Sequence, residues 1–313
     1  MRRKIKSERN RRLDAGAFRK LLPSLGAPSQ ARLLKVLCDS SLRGKIPAAE
    51  IQSIIKSERI SADELMIALL PVAQTYSHSP LSHYQVGAVA LGKSGSFYLG
   101  TNIEVPGQIL GFAVHGEQCA VSNALTHEEG GITSLAVTAP PCGHCRQFLN
   151  ELANSASLKI LVKGRTPTTL ARLLPDSFGP NELNVKERLL SGKKANLKLT
   201  TPTTDALPSA GLHAADKSYA PYTRALSGVA VMSSTGVVYH GSYIESAAYN
   251  PSLSPLQAAL VGMIMAGEKP GNISAVTLVE LANAPISQMS ASRAVLDGLA
   301  PAATLRRMTA RLK

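Results

Sequence analysis

The 313-residue sequence predicts an α/β fold that occurs twice along the chain and follows a helical segment. Three observations carry this prediction. Apolar residues recur at helical spacing over residues 12–75, and strand and helix patterns then alternate between residues 83 and 162. The alternating pattern returns after residue 220, and the length allows two domains of ordinary size.

The N-terminal segment is predicted to be mostly helical. Leucines recur at helical spacing over residues 21–37, and Pro47 suits the first turn of a further helix, where its missing N–H costs nothing. Residues 61–64 have the Ser-x-x-Glu form of a capping box, so another helix is expected to begin there. Pro71 is expected to bend or end that helix.

The first α/β unit follows this segment. Short apolar runs bounded by glycines predict strands, and longer periodic runs predict helices. In chain order, the predicted elements are a strand pair over His83–Leu91 and Ser96–Gly100, a helix over His115–Leu125, a strand over Ile132–Thr138, a helix over Cys142–Leu152 and a strand over Leu158–Val162. Residues 164–215 are rich in Thr, Pro, Lys and Ser, which predicts a connector with local structure at best.

A repeat within the chain predicts a second copy of this unit. Residues 80–104 align with residues 221–245 without a gap, at a constant offset of 141. Some of the agreement is glycine at turns, but the length of the alignment and its shared Ile-Glu pair favour a duplication. The identical positions are Pro80/Pro221, Gly87/Gly228, Gly95/Gly236, Tyr98/Tyr239, Gly100/Gly241, Ile103/Ile244 and Glu104/Glu245.

The second copy lacks polar residues that the first copy carries. After a two-residue deletion, His115 aligns with Ser254 and Glu117 with Leu256, and no cysteine occurs in the second copy. It is therefore predicted to keep the scaffold and to lack a metal site. We expect a helical segment with a basic tail over residues 1–60, a catalytic domain over residues 61–182, and a connector with a degenerate, non-catalytic domain over residues 183–313.

The net charge of +13 is concentrated at the two ends of the chain. Residues 1–20 carry a net charge of +7 and residues 301–313 a net charge of +4, so the body is almost neutral. Basic tails can bind polyanions, but no basic stripe with interleaved aromatic residues runs through the body. We therefore interpret the ends as solvated and expect no nucleic-acid partner.

The composition also bears on the compartment. Hydrophobic residues make up 44% of the chain, enough to bury a core, but no apolar run approaches the roughly 20 residues that span a bilayer. We expect no membrane partner. Four cysteines are too few for a disulfide framework in a chain of this size, which favours a reducing cytoplasm.

Residues 115–117 (HGE) and 141–145 (PCGHC) contain the candidate metal site. One histidine and two cysteines offer a zinc ion three ligands and leave a fourth tetrahedral position open, which is typical of catalytic zinc. Pro141 suits a helix start, and a helix N-terminus favours thiolates. The predicted ligands are His115, Cys142 and Cys145, and Glu117 is predicted to move protons without ligating the metal.

Other kinds of site share parts of this pattern. The Cys-Gly-His-Cys spacing also occurs in thiol–disulfide oxidoreductases, where an upstream His-x-Glu has no purpose. A structural zinc would need a fourth protein ligand, for which His144 is the nearby candidate. Arg146 follows Cys145 where c-type haem attachment requires a histidine.

The pattern H-x-E … P-C-x-x-C is a signature of zinc-dependent base deaminases, and the chain resembles the cytidine deaminases, in particular their long bacterial form with two deaminase-like domains. The resemblance covers the helical segment, the blocks VHGEQ and PCGHCRQFLNEL, the segment LLPDSFGP and the degenerate second copy. It implies a three-layer α/β/α fold, one Zn²⁺ per chain and a homodimer in which the other subunit completes the active site. It also implies hydrolysis of cytidine and 2′-deoxycytidine to the uridine forms and ammonia, in pyrimidine salvage.

An enzyme that deaminates a base within nucleic acid uses the same kind of metal site and is the alternative. The neutral body of the chain and the pair Asn102 and Glu104 favour a free nucleoside. The resemblance implies that this pair binds the ribose hydroxyls and that Tyr84 lies beside the base. It also implies that the backbone N–H of Gly116 meets the base carbonyl, and that Phe178 reaches the active site of the neighbouring subunit.

Three positions near the motif depart from the family pattern. Gly116 stands where alanine is usual, which adds backbone flexibility to a contact made through the main chain. Directly before the Pro-Cys pair, Ala139 stands in place of a larger residue and Pro140 in place of a hydroxyl-bearing one. These departures are expected to affect substrate affinity more than reaction class.

Overall fold

The structure is a computed structural model that describes residues 15–192 and 194–313. Most of the predicted basic N-terminal tail therefore lies outside the described residues. The segment that follows is mostly helical, as predicted, and one short strand interrupts it. Its elements are α1 (Ala15–Leu21), α2 (Ala27–Cys38), β1 (Lys45–Ile46), α3 (Ala48–Glu58) and α4 (Ala62–Gln74).

The predicted capping box at the start of α4 is confirmed. The Oγ atom of Ser61 accepts a hydrogen bond from the backbone N–H of Glu64 at 3.2 Å, and the Ser61 N–H donates to the Glu64 carboxylate at 2.7 Å. Pro71 does not end the helix, because α4 continues through it to Gln74, and the alternative that Pro71 bends the helix stays a prediction. Leu70 and Val72 on either side of the proline are fully buried, so tertiary packing holds the last turn in place.

The first sheet has six strands in the order β1-β3-β2-β4-β5-β6, and only β4 and β5 pair in parallel. Helix α4 packs against β2 and β4, and helix α5 packs against β2 and β3. The elements are β2 (Gly87–Gly92), β3 (Phe97–Thr101), α5 (Gly116–Thr126), β4 (Ile132–Val137), α6 (Gly143–Leu149), β5 (Lys159–Val162), β6 (Thr168–Thr169) and α7 (Leu170–Leu173).

Helices α4 and α5 cover opposite faces of this sheet. A Cβ atom at Gly87 would lie 2.3 Å from the carbonyl oxygen of Leu70 in α4, whereas one at Gly100 would lie 2.4 Å from that of Gly116 in α5. Gly100 pairs with Ala88, the neighbour of Gly87, and successive strand residues point to opposite faces. The predicted three-layer α/β/α arrangement is therefore confirmed.

The predicted first strand begins four residues later than expected. Residues 83–86 form no strand, and His83 has a φ angle of 56°, in the left-handed region that breaks an extended chain. The other predicted strands of this unit agree with the observed bounds to within one residue. The predicted helix over Cys142–Leu152 is shorter in the structure and ends at Leu149.

The second sheet has five strands in the order β7-β11-β10-β8-β9, and only β10 and β11 pair in parallel. Its central order β9-β8-β10-β11 repeats the order β3-β2-β4-β5 of the first sheet, so the predicted duplication is confirmed. The elements are β7 (Leu197–Leu199), α8 (Ala206–Asp216), β8 (Ser227–Ser233), β9 (Val238–Ser242), α9 (Pro255–Met265), β10 (Ile273–Leu281), α10 (Met289–Leu299) and β11 (Thr304–Leu312).

The stretch predicted to be a connector contains part of the second unit. Helix α8 packs against β8 just as α4 packs against β2, and a Cβ atom at Gly228 would lie 2.6 Å from the carbonyl oxygen of Gly211. Gly228 and Gly211 stand 141 residues after Gly87 and Leu70. Alanines and glycine fill most of the helix face, which concealed its apolar periodicity. The predicted domain boundaries after residues 60 and 182 stay predictions.

The two copies face each other through equivalent glutamines. The side-chain amide of Gln118 donates to the carbonyl of Pro251 at 2.9 Å, and that of Gln257 donates to the carbonyl of Phe112 at 2.9 Å. Gln257 stands 139 residues after Gln118, and Pro251 stands 139 residues after Phe112. Each copy therefore donates the equivalent hydrogen bond to the other copy, so a local pseudo-twofold relationship connects the two bonds. Within the described part of the chain, no helix is both long and apolar enough to cross a bilayer.

Candidate metal centre and active site

Two helix starts bring the three predicted ligands together. His115 is the N-cap residue of α5 and Cys142 is the N-cap residue of α6, while Cys145 lies in the first turn of α6. The Nδ1 atom of His115 lies 3.5 Å from the Sγ atom of Cys142 and 3.3 Å from that of Cys145, and the two sulfur atoms are 3.6 Å apart. Segments 27 residues apart in sequence thus form one cluster.

These distances fit a tetrahedral zinc ion. Bonds of about 2.3 Å to sulfur and about 2.0 Å to nitrogen at tetrahedral angles place two sulfurs about 3.8 Å apart and sulfur about 3.5 Å from nitrogen. The observed separations lie within 0.3 Å of those values. His144 is outside the cluster, and its ring stacks on the His115 ring with a centroid distance of 4.9 Å. The donor set therefore leaves one coordination position open, unlike a structural zinc site.

The environment of Cys142 favours the thiolate that zinc requires. A hydrogen bond with Cys145 and the neighbouring His115 lower the pKa of Cys142 to about 4. Its place at the N-terminus of α6 adds unpaired backbone N–H groups, which also favour negative charge.

Glu117 lies in the first turn of α5 and reaches the metal cluster without belonging to it. Its carboxylate oxygen is 3.2 Å from the Sγ atom of Cys145, and the residue is 5% exposed. Burial raises the pKa of this carboxyl group, whereas hydrogen bonds and His115 oppose the rise. An acid with a raised pKa beside an open metal position is suited to move protons near neutral pH.

A cavity of about 280 Å³ opens beside these groups. This volume is close to that of pockets that hold a small organic group. The walls carry both polar and apolar groups, and sequence analysis had not singled out Ser82 or Val86 among them. The lining residues are Ser82, Tyr84, Val86, Asn102, Glu104, Ala113, Val114, His115, Gly116, Glu117, Val137, Ala139, Pro140 and Cys142.

Asn102 and Glu104 hold the loop that precedes β2. Asn102 donates to the carbonyl of Tyr84 at 2.8 Å and accepts from the N–H of Val86 at 2.9 Å. Glu104 accepts from the backbone N–H groups of Leu81 at 2.8 Å and Ser82 at 3.1 Å. Both side chains line the cavity while they position its rim, and their ribose contacts stay a prediction.

The other predicted contact residues occupy different places. Tyr84 is 58% exposed at the cavity, and Gly116 begins α5 directly beside it. Phe178 does not line the cavity. Its carbonyl accepts hydrogen bonds from Gln147 at 2.5 Å and Asn150 at 3.4 Å, and its side chain is 49% exposed. The predicted role of Phe178 in a neighbouring subunit stays a prediction.

In the second copy, large buried side chains replace the cavity lining. Tyr243 stands at the position of Asn102 and Leu256 at that of Glu117. The equivalent strand registers, Ala88 with Val137 and Val229 with Leu278, place Glu280 at the position of Ala139. All three are buried. Glu280 forms an ion pair with Arg307 at 2.6 Å, so its charge is paired within the fold. This half of the chain keeps the scaffold, as the alignment predicts, with other side chains at these three positions.

Comparison with known proteins covers most of the chain. Two family profiles, both described as "Cytidine and deoxycytidylate deaminase zinc-binding region", match residues 60–158 and 170–293. The chain is similar to a cytidine deaminase of Pectobacterium carotovorum, with 41% identity over 90% of this chain and 94% of the relative. It is also similar to a cytidine deaminase of Vibrio vulnificus strain YJ016, with 38% identity over 91% of this chain and 96% of the relative.

Proposed function

This chain belongs to the family of zinc-dependent cytidine and deoxycytidylate deaminases and hydrolyses cytidine, and we propose that His115, Cys142 and Cys145 hold its zinc ion. The observation that carries this assignment is the cluster of one imidazole nitrogen and two sulfurs, whose separations suit tetrahedral zinc. Zinc bound there supplies a water of lowered pKa as the nucleophile for C4 of the base.

Glu117 is the proton carrier in this proposal. It accepts a proton from the nucleophilic water and delivers a proton to ring N3, which makes C4 electrophilic. After attack at C4, Glu117 takes the remaining proton from the new C4 hydroxyl group and delivers it to the exocyclic amine. The C4–N bond then breaks, the C4 carbonyl forms and ammonia leaves. The sum is one water consumed, one C–N bond broken and one carbonyl formed. Burial of Glu117 next to Cys145 supports this role, since its carboxylate lies 3.2 Å from a proposed ligand without belonging to the ligand cluster.

The remaining hydrogen-bonding capacity of Asn102 and Glu104 supports ribose binding. A carboxylate accepts about four hydrogen bonds, and Glu104 uses three of these positions for Leu81 and Ser82. Asn102 uses one of its two amide protons for the carbonyl of Tyr84. One acceptor and one donor are left, which matches a ribose hydroxyl pair. Tyr84 would pack beside the base, and the N–H of Gly116 would meet the base carbonyl.

The substrates in this proposal include 2′-deoxycytidine, and the role is salvage of pyrimidine nucleosides. We also place the enzyme in the cytoplasm, because a reducing compartment keeps the thiols of Cys142 and Cys145 available for zinc.

Exposed apolar side chains support a homodimer. Leu81, Ile109 and Leu110 line the space next to the catalytic cavity and are 47%, 72% and 79% exposed. In that dimer, Phe178 would reach the other subunit's active site.

Zinc analysis combined with an ultraviolet assay tests the function. We expect one zinc per chain and turnover of cytidine and 2′-deoxycytidine, with no turnover of adenosine or of a cytosine-bearing oligonucleotide. Turnover of the oligonucleotide alone would instead indicate a nucleic-acid deaminase. The molar mass measured by light scattering after gel filtration tests the homodimer. A monomer at micromolar concentration would contradict it.

A further inference from the structure

One loop borders the catalytic cavity and is contacted at both ends by the degenerate second copy. We define the active-site loop as residues 105–113, between Glu104 and Val114. Two backbone hydrogen bonds close its base, from the N–H of Ile103 to Val114 at 2.9 Å and in return at 2.8 Å. Above this base, the loop forms one wall of a space of about 370 Å³ that shares Glu104 and His115 with the catalytic cavity.

Gly298 in the last turn of α10 touches the first half of the active-site loop. A Cβ atom at this position would lie 2.5 Å from the carbonyl oxygen of Pro106, 2.6 Å from a methyl group of Val105 and 3.2 Å from Gln108. A Cβ atom less than 3.0 Å from a backbone atom of the loop would force the helix or the loop to move. Only a residue without a side chain lets the helix approach the loop this closely.

Gln257 in the first turn of α9 holds the second half of the active-site loop. Its side-chain amide donates to the carbonyl of Phe112 at 2.9 Å, while its carbonyl oxygen accepts from the N–H of Ser254 at 3.0 Å. Gln257 is 5% exposed, so this bond to the loop is partly shielded from water. The base of the loop is therefore closed by its own copy, and both of its arms are held by the other copy.

We propose that Gly298 and Gln257 are positioning residues through which the degenerate domain sets the affinity of the active site for its nucleoside, a proposal that rests on the function above. Glu104 lies directly before the loop, whereas His115 is the N-cap residue of α5, beyond the paired residue Val114 that closes the base of the loop. Glu117 and the two cysteines lie on α5 and α6, outside the loop. A displaced loop therefore alters the substrate-binding rim and leaves the proton carrier and both sulfurs in place.

Gly298→Ala tests this proposal. Within a helix, alanine is ordinarily more favourable than glycine, so a loss reports the contact with Pro106 rather than helix propensity. In the full-length, zinc-loaded enzyme, we expect KM for cytidine and the Kd of uridine to rise about tenfold, with kcat within about twofold and zinc content unchanged, the pattern of lost ground-state binding. Gly262→Ala is the matched control, because a Cβ atom on that helical glycine would lie 3.8 Å from its nearest neighbour.

Gln257→Glu tests the other arm of the loop if Gly298→Ala does not fold. Glutamate keeps an oxygen for the N–H of Ser254 and removes the donor to Phe112, so KM should again rise while kcat is retained. The proposal is overturned if a folded variant of either kind has wild-type KM and wild-type uridine affinity, or if kcat and KM change together with loss of zinc. A wild-type enzyme that neither deaminates cytidine nor binds uridine would refute the proposed function itself.

Discussion

Glu104 and Glu245 accept the same set of hydrogen bonds at positions 141 residues apart. Each receives two consecutive backbone N–H groups and one hydroxyl group, from Leu81 and Ser82 in the first copy and from Tyr222 and Thr223 in the second. The second copy lacks the residues that align with the proposed metal ligands, so the bonds of Glu245 indicate that this carboxylate caps its loop independently of a metal site. Glu104 therefore has a structural duty in addition to its proposed contact with substrate.

This relationship predicts different outcomes for one substitution made in the two copies. Glu245→Gln keeps an oxygen for the two backbone N–H groups and turns its NH₂ toward the Thr223 hydroxyl, but it removes the charge that strengthens these buried bonds. It should therefore lower the free energy of unfolding by about 1–2 kcal/mol. Its KM for cytidine should remain that of the wild type. Glu104→Gln should lower stability less, because that site is more exposed, and should raise KM. Denaturant unfolding and steady-state kinetics on both variants give the comparison, and a raised KM in Glu245→Gln would contradict it.

Removal of the proposed proton carrier should separate chemistry from metal binding. Glu117→Ala should retain one zinc per chain, because the carboxylate is outside the ligand cluster. Its kcat should fall by at least about 100-fold, the usual loss when a general acid–base group is removed. Zinc analysis and the ultraviolet assay measure both quantities. Glu128→Gln, at an exposed acid beyond the end of the same helix, is the control, and retained turnover in Glu117→Ala would remove Glu117 from its role.

Loss of one thiolate should remove the metal. Cys142→Ala leaves two ligands, so we expect zinc content near zero and no measurable turnover after dialysis against a chelator. Cys38→Ala alters a half-buried cysteine outside the cluster and should keep full zinc and activity. A Cys142→Ala enzyme that keeps one tightly bound zinc would show that another residue completes the site.

Local signals in the sequence predicted the parts of the molecule that local chemistry determines. The capping box at Ser61 and the helix starts at His115 and Cys142 are written in consecutive residues, and the structure confirms them. Sequence analysis does not predict helix α8, because glycine and alanine make up most of its packing face. The continuation of α4 through Pro71 depends on tertiary burial, which has no local signature.

Contacts between the two copies were beyond sequence analysis for the same reason. Glu151 is fully buried and accepts hydrogen bonds from the hydroxyl groups of Tyr222 at 2.6 Å and Tyr219 at 2.8 Å and from the N–H of Ala247 at 2.8 Å. All three donors belong to the second copy. No spacing within the chain indicates such a partnership, which exists only once both copies have folded and docked.

Two half-buried histidines predict a loss of stability in mild acid. Burial, together with Lys45 and Arg43, lowers the pKa of His127 to about 4, and burial, together with Arg43 and His213, lowers that of His240 to about 4. In the unfolded chain, a histidine has a pKa of about 6.5, so the unfolded state binds protons first as the pH falls. Above pH 6.5, these residues leave the free energy of unfolding unchanged. Between pH 6.5 and 4, each histidine lowers it by about 2–3 kcal/mol.

Urea unfolding of the wild type and of His240→Gln at pH 7.5, 6.5, 5.5 and 5.0 measures this effect. The variant cannot take up the proton, so its stability should fall less steeply than that of the wild type below pH 6.5. The carboxylates titrate equally in both proteins and cancel in the difference. His83→Gln changes an exposed histidine and should keep the wild-type slope. Parallel curves for the wild type and His240→Gln would show that the imidazole of His240 accepts its proton as readily in the folded chain as in the unfolded one.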